Sequence, residues 1–171
     1  MEKIKLRHSD LFMIVDMEDF NELSKYKWRL AKIKGVNIPH YYAVRTAKNI
    51  NGVQCTIFAH RQIMEAKKGQ FVDHADHNTL NNTKNNLRIC TCSENQHNLI
   101  GYGGKKTSKY KGVHLEKVSK KWHAQIKIDG KTQHIGSFVF EIDAAKAYDN
   151  KARELFGKFA CLNFNNLQEE N

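Results

Sequence analysis

A chain of 171 residues can form one domain or two small ones, and either is long enough to bury a core. Lys and Arg outnumber Asp and Glu by 28 to 18, a formal net charge of +10 that points to a polyanionic partner, nucleic acid first. No apolar run reaches the roughly 18 residues a spanning helix needs, and MEKIKLRHSD has no apolar h-region, so the expectation is no membrane association and a cytoplasmic protein.

In chain order, LFMIV (11–15) predicts a short apolar strand. DMEDFNELSKYKW follows, with Phe20, Leu23 and Trp28 placed for a short helix and its packing partner. HYYAVRTAKNINGVQCTIFAH predicts a hairpin turning at Asn51-Gly52, a pair that tolerates positive φ. Residues 61–66 predict a helix. FVDH then predicts a strand, Asn78 to Asn86 a loop, LRICT a second strand, and Ser93-Glu94-Asn95-Gln96 a capping box opening a helix through Leu99. The cysteines, Cys55, Cys90, Cys92 and Cys161, contain no CxxC pair. A Cys-x-Cys on a strand points its thiols to opposite faces, so reduced, mostly buried thiols and no structural zinc are expected.

GYGGKKTS (101–108) predicts a flexible linker. The organisation expected is residues 1–100 (core 58–100), the linker, a second domain over 109–164 and a tail from 165. Beyond the linker, KYKGVHLEK predicts a strand. Trp122, Ala124, Ile126 and Ile128 alternate with His123, Gln125 and Lys127 in a second, and Asp129-Gly130 turns into a third over 131–136. Ile142, Ala145, Tyr148, Ala152 and Leu155 then form a helical stripe. Between Lys105 and His134 nine lysines face only two acids, Glu116 and Asp129. The predicted free face of this sheet carries His114, His123, Gln125, Lys127 and His134. The fold class is α+β.

The segment from Asp73 to Asn95 carries the chemistry. A carboxylate from Asp73 and an amide oxygen from Asn95 are hard donors of the kind Mg²⁺ or Mn²⁺ takes, with water and a substrate phosphate completing the shell. His74 has the intrinsic pKa, about 6.5, to deprotonate a water near neutral pH, and Asn86 is placed to orient it. The spacing, Asp-His, eleven residues, Asn86-Leu-Arg, then Ser-Glu-Asn95, resembles the HNH endonucleases of the ββα-metal class, particularly the phage and intron homing type. Their pattern runs roughly DHxNxxxLDNxxxNLRxxTxxENxxN.

That resemblance implies an N-terminal ββα-metal module with a supporting hairpin, in which Asp73 and Asn95 hold one divalent cation. It makes His74 the general base and Asn86 its orienting partner. His60 and Arg61, in AHRQIM, would support the fold or touch phosphate rather than do chemistry, and Arg61 and Arg88 are expected among the DNA contacts. Three departures fall in the loop: Asn81 for Asp, Thr83 for Arg, and Asp76-His77 for the commoner Asn-Gly. His77 is an alternative base lying off the matched position.

Residues 109–164 resemble the Apetala/ERF DNA-binding domain, through Lys111-Gly112-Val113, Trp122-x-Ala124-x-Ile126, Ile135-Gly136-Ser137-Phe138, the helix AAKAYDNKAR and the closing LNF. The implied fold is a three-stranded antiparallel sheet on one helix, with the free face entering the major groove. Lys111, Lys121 and Lys127 would then neutralise phosphates, while His114, His123, Gln125, Thr132 and His134 reach base edges.

The function these readings imply is a site-preferring, metal-dependent DNA endonuclease of homing type. It has one active site per chain, nicks as a monomer or weak dimer, takes no small-molecule substrate, and acts in a prokaryotic or phage-infected cell. The alternative is a catalytically inactive DNA-binding regulator. An RNA-binding protein ranks third, since the sheet offers no aromatic pair for base stacking.

Overall fold

The structure, a computed structural model, describes residues 1–33, 41–99 and 107–164. Most of the expected linker, and the tail beyond Phe164, lie outside the described residues. The chain divides into two compact units, Met1–Asn95 and Gln96–Asn171.

The first unit contains β1 (Glu2–Lys5), β2 (Phe12–Val15), α1 (Met17–Leu23), β3 (Arg29–Lys32), β4 (Tyr41–Lys48), β5 (Gln54–Phe58), α2 (Ala59–Ile63), β6 (Phe71–His74), β7 (Leu87–Cys90) and most of α3 (Cys92–His97). β1 pairs antiparallel with β2, Ile4 opposite Met13, so one face of this two-stranded ribbon is apolar. Its side chains, with Leu6 and Val15, join Leu23, Trp28, Ala43 and Ala59 in a core. Trp28 is 1 % exposed and its indole N–H is satisfied by the Leu23 carbonyl at 2.8 Å. The hairpin of β4 and β5 turns where expected: Gly52 has φ +76°, and the Asn49 side-chain oxygen accepts from the N–H groups of Asn51 and Val53, each at 3.0 Å.

These elements clamp the long loop between β6 and β7. Ile14 N–H donates to Leu80 O at 2.8 Å, and Asn82 N–H to Ile14 O at 2.8 Å, which adds the loop to the edge of β2. Lys84 N–H bonds the Asp16 carboxylate at 2.8 Å, and the Thr79 hydroxyl donates to the Tyr41 carbonyl. A segment rich in turn-forming asparagine is thereby fixed by strands distant in sequence.

Several boundaries depart from expectation. β1 and β3 were not anticipated, and α2 begins at Ala59 rather than at residue 61. The capping box of α3 lies two residues early: Thr91 Oγ1 accepts from Glu94 N–H at 3.2 Å, and Glu94 Oε2 from Thr91 N–H at 2.7 Å. The Cys-x-Cys pair does not share a strand either, since Cys90 ends β7 and Cys92 opens α3. Cys90 and Cys161 are buried, Cys55 half-buried and Cys92 exposed.

In the second unit, β8 (Val113–Leu115), β9 (Trp122–Ile128) and β10 (Lys131–Phe138) form an antiparallel sheet in the order β10-β9-β8, followed by α4 (Glu141–Phe156). Val113 and Ala124 pack on Ala144 and Ala145, and Ile126 on Tyr148 and Ala152. Asp129 and Gly130 have φ +49° and +80°, the turn that a tight hairpin requires. Gly112 has φ +74°, and a Cβ there would enter the Tyr148 ring and lie 2.6 Å from Gln125 O. The fully buried Asp149 accepts from the N–H groups of Asn163 (2.8 Å) and Phe164 (2.9 Å) and from the Asn163 side-chain amide (3.0 Å), which locks the closing LNF onto α4. Among the described residues no helix is long and apolar enough to cross a membrane.

Candidate active site

β6 delivers Asp73 and His74 as its last two residues, opposite Arg88 and Leu87 of β7. Both are buried, at 7 % and 5 % exposure, in contrast to the solvated acid and histidine that a loop would give. Asp73 Oδ2 accepts from Arg88 Nε at 3.1 Å and from Arg88 Nη2. His74 Nε2 lies 3.3 Å from Asn82 Oδ1, and the Asn82 amide nitrogen donates to Leu80 O at 3.2 Å.

The second of those bonds fixes which end of the amide faces the histidine. An amide oxygen only accepts, so Nε2 carries the proton and Nδ1 is the basic nitrogen of neutral His74. Burial pushes the His74 pKa below its ordinary value, opposed by the Asn82 bond and by the charges of Asp76 and Asp73. The imidazole is therefore held uncharged, the form a general base needs.

Two further rings lie against it, with a third behind them. His60 meets His74 edge to face, centroids 5.1 Å apart at 76°; Tyr42 lies 6.0 Å from His74 and 5.2 Å from His60, and Phe58 5.5 Å from His60. Burial, then the charges of His74 and Arg61, bring the His60 pKa down to about 3.

The Asn86 side chain, expected to orient His74, makes its hydrogen bonds elsewhere. Its amide nitrogen donates to Asp76 Oδ1 and to Asn81 O, both at 2.8 Å, and its Oδ1 accepts from Asp76 N–H at 3.0 Å, so it ties the loop to itself. The asparagine whose side chain reaches the imidazole is Asn82, which is 1 % exposed. A signal for it was present, because Asn82 fills the fixed asparagine of the LDN part of the pattern as faithfully as Asn86 fills that of NLR. His77 adopts φ +61°, which explains why glycine is common there.

Arg61, expected to brace the fold or touch phosphate, braces it: its guanidinium donates to Gln70 O (2.6 Å), Lys67 O (3.0 Å) and Ala66 O (3.2 Å). Arg88 faces Asp73 rather than solvent. Asn95 stands half-buried in the first turn of α3, its backbone N–H bonded to Thr91 O at 3.1 Å. No hydrogen bond joins it to Asp73 among the described residues. Nor is there among them a group of three or more His, Cys, Asp or Glu arranged to hold a metal. The oxygen donors, one carboxylate and one amide, are those of a hard cation that keeps most of its water, not of zinc.

In the second unit His114, His123 and His134 form a row across the three strands, centroids 5.4 and 5.1 Å apart. Lys127 and Thr132 pair across β9 and β10 and are exposed, as is Lys121 at the start of β9. Lys111 leaves this set. Its Nζ donates to His97 O (2.9 Å) and Leu99 O (2.8 Å), and burial lowers its pKa. Two of its three donors are thereby used within the unit.

An HNH endonuclease family model matches residues 58–97, which run from the end of β5 through α3. An uncharacterized HNH endonuclease of Acanthamoeba polyphaga mimivirus is 34 % identical over 160 residues, spanning 92 % of this chain and 77 % of the relative. The chain belongs to the HNH endonuclease family. A second relative of this HNH endonuclease, Protein 3.8 of Escherichia phage T7, is 33 % identical over 106 residues, 59 % of this chain and 86 % of the relative. The mimivirus similarity reaches well beyond the residues 58–97 matched by the family model.

Proposed function

We propose that this HNH endonuclease is a site-preferring, homing-type enzyme that hydrolyses DNA phosphodiesters with His74 as general base, one active site per chain. The observation that carries the reading is the buried Asp73-His74 pair, with Asn82 Oδ1 3.3 Å from His74 Nε2 as the acceptor that favours a proton on that nitrogen.

His74 Nδ1 takes the proton of the attacking water. The water oxygen bonds to phosphorus as the bond to O3′ breaks, leaving a 5′-phosphate and a 3′-oxygen that is protonated to the hydroxyl. Asn82 holds the imidazole on axis and accepts the Nε2–H throughout, in the neutral ring and in the imidazolium alike. Asp73 and Asn95 would hold one Mg²⁺ or Mn²⁺, which when bound supplies charge neutralisation for the phosphate and the leaving oxygen. Arg88 balances the buried Asp73 charge in the meantime.

The basic sheet of the second unit, resembling an Apetala/ERF domain, anchors the duplex through Lys121 and Lys127 on phosphates and His114, His123, Gln125, Thr132 and His134 toward base edges. Its support is the exposed polar face opposite α4 and the concentration of lysine there.

The test is cleavage of supercoiled plasmids carrying fragments of the source genome, wild type against His74→Ala, in Mg²⁺, in Mn²⁺ and in EDTA. Nicking that needs both the metal and His74 is expected. Tight, salt-sensitive binding with no cleavage under any metal would sink the nuclease and leave a DNA-binding regulator.

A further inference from the structure

We propose that Tyr42 and His60 are positioning residues for His74, so that the working site extends, through Tyr42 on β4, beyond the residues the family model matches. This rests on the reading of His74 as the base.

The geometry is a wall of rings. Tyr42, on β4, and His60, in the first turn of α2, both lie against His74, with Phe58 closing the cluster behind them at 5.8 Å from Tyr42. His60 is 7 % exposed. An imidazole buried to that degree is costly compared with an apolar ring of the same size. It makes no side-chain hydrogen bond to another described residue, so ring packing is what remains to account for it. Its contact to His74 is edge to face, the arrangement that aromatic quadrupoles favour.

The Asn82 contact lies at one end of the ring. A perpendicular ring lies against the flank. Together they hold Nδ1 in a single direction, toward the water to be activated, and positioning of this kind is worth orders of magnitude in rate. His60 stays uncharged at any working pH, its pKa being held down to about 3, so it adds no repulsion when His74 takes up its proton.

The experiment uses the full chain with ¹⁵N-labelled histidine. Imidazole correlation spectra are recorded just above neutral pH for wild type, His60→Ala, His60→Phe and Tyr42→Leu, alongside cleavage kinetics. Wild type should show His74 as one tautomer, with the proton on Nε2. His60→Ala should average the two tautomers and lower kcat on the order of tenfold or more with KM unchanged. His60→Phe, which keeps a ring, should restore most of both, and Tyr42→Leu should fall between. If His60→Ala fails to fold, the Phe and Leu variants decide, because loss of a single tautomer in Tyr42→Leu and its retention in His60→Phe are each specific. An unchanged His74 tautomer in both His60→Ala and Tyr42→Leu overturns the proposal, as does a loss confined to melting temperature and KM. A wild type that never cleaves but whose His74 still loses its tautomer in His60→Ala would refute the nuclease and leave the positioning intact.

Discussion

Replacing Asn82 by alanine removes the acceptor for His74 Nε2–H, whereas replacing Asn86 removes three bonds that close the loop on itself. The expected outcomes therefore separate. Asn82→Ala should lower kcat about 10–100-fold with little change in KM, the usual cost of removing a partner that orients a functional histidine. Asn86→Ala should cost about 2 kcal/mol of stability, read as a fall in melting temperature. A kcat loss in the Asn86 variant, with Asn82→Ala unaffected, would return the orienting role to Asn86. The Asp73-His74 pair was legible in the sequence because adjacent residues need only a strand to carry them. Which of two asparagines four residues apart reaches the histidine was not, because Ile14 decides it by pairing with the loop from another part of the chain.

His60 sets the acid side of stability at the same scale. Its folded-state pKa is about 3, against about 6.5 in the unfolded chain. Between those values the unfolded state binds the extra proton, so stability rises with pH across the window and is lost as pH falls from about 6.5 toward 3. His74, also depressed, adds to the loss in the same direction. Melting temperature followed from neutral to acid pH should fall, and His60→Phe should flatten the fall. A Phe variant with the wild-type slope would mean that another group carries the acid lability.

Among the elements, those whose patterns are local were readable and those that depend on a partner were not. The β9–β10 hairpin announces itself through alternation and Asp129-Gly130. EKIK and RLAK, by contrast, look like charged surface until β2 and β4 supply the second strand. The capping box was misplaced by two residues because TCSE and SENQ both satisfy its spacing, and only the geometry selects Thr91 with Glu94. Thr91→Ala should accordingly cost about 1 kcal/mol. Gly112 is the element-scale position with the least tolerance, since its positive φ and the Tyr148 ring both exclude a side chain. Gly112→Ala should destabilise the sheet-and-helix unit by about 3 kcal/mol, from left-handed backbone strain plus overpacking. Denaturant melts of the full chain check it, with the lower transition assigned to the second unit by Trp122 fluorescence.

At the scale of the whole molecule, the densest run of lysine and the proposed chemistry lie in different units. The proposed base and cation donors lie in the first unit, while the lysine-rich stretch between Lys105 and His134 falls in the second. Such a division predicts that affinity and turnover respond to different substitutions. Each lysine removed from a phosphate should lower the slope of log Kobs against log salt by about 0.9. Lys121 and Lys127 are exposed on the same side of β9, while Lys111 is committed to the His97 and Leu99 carbonyls. Lys121→Ala with Lys127→Ala should therefore reduce the slope by about 1.8 and weaken duplex binding, with kcat at saturating DNA unchanged. Lys111→Ala should instead lower the melting temperature and leave the slope where it was. Equilibrium binding between low and moderate salt, measured on the full-length variants, distinguishes the two. An unchanged slope in the double variant would move the DNA-anchoring surface off this sheet, and a fall in kcat would mean that the sheet helps to position the scissile phosphate rather than only holding the duplex.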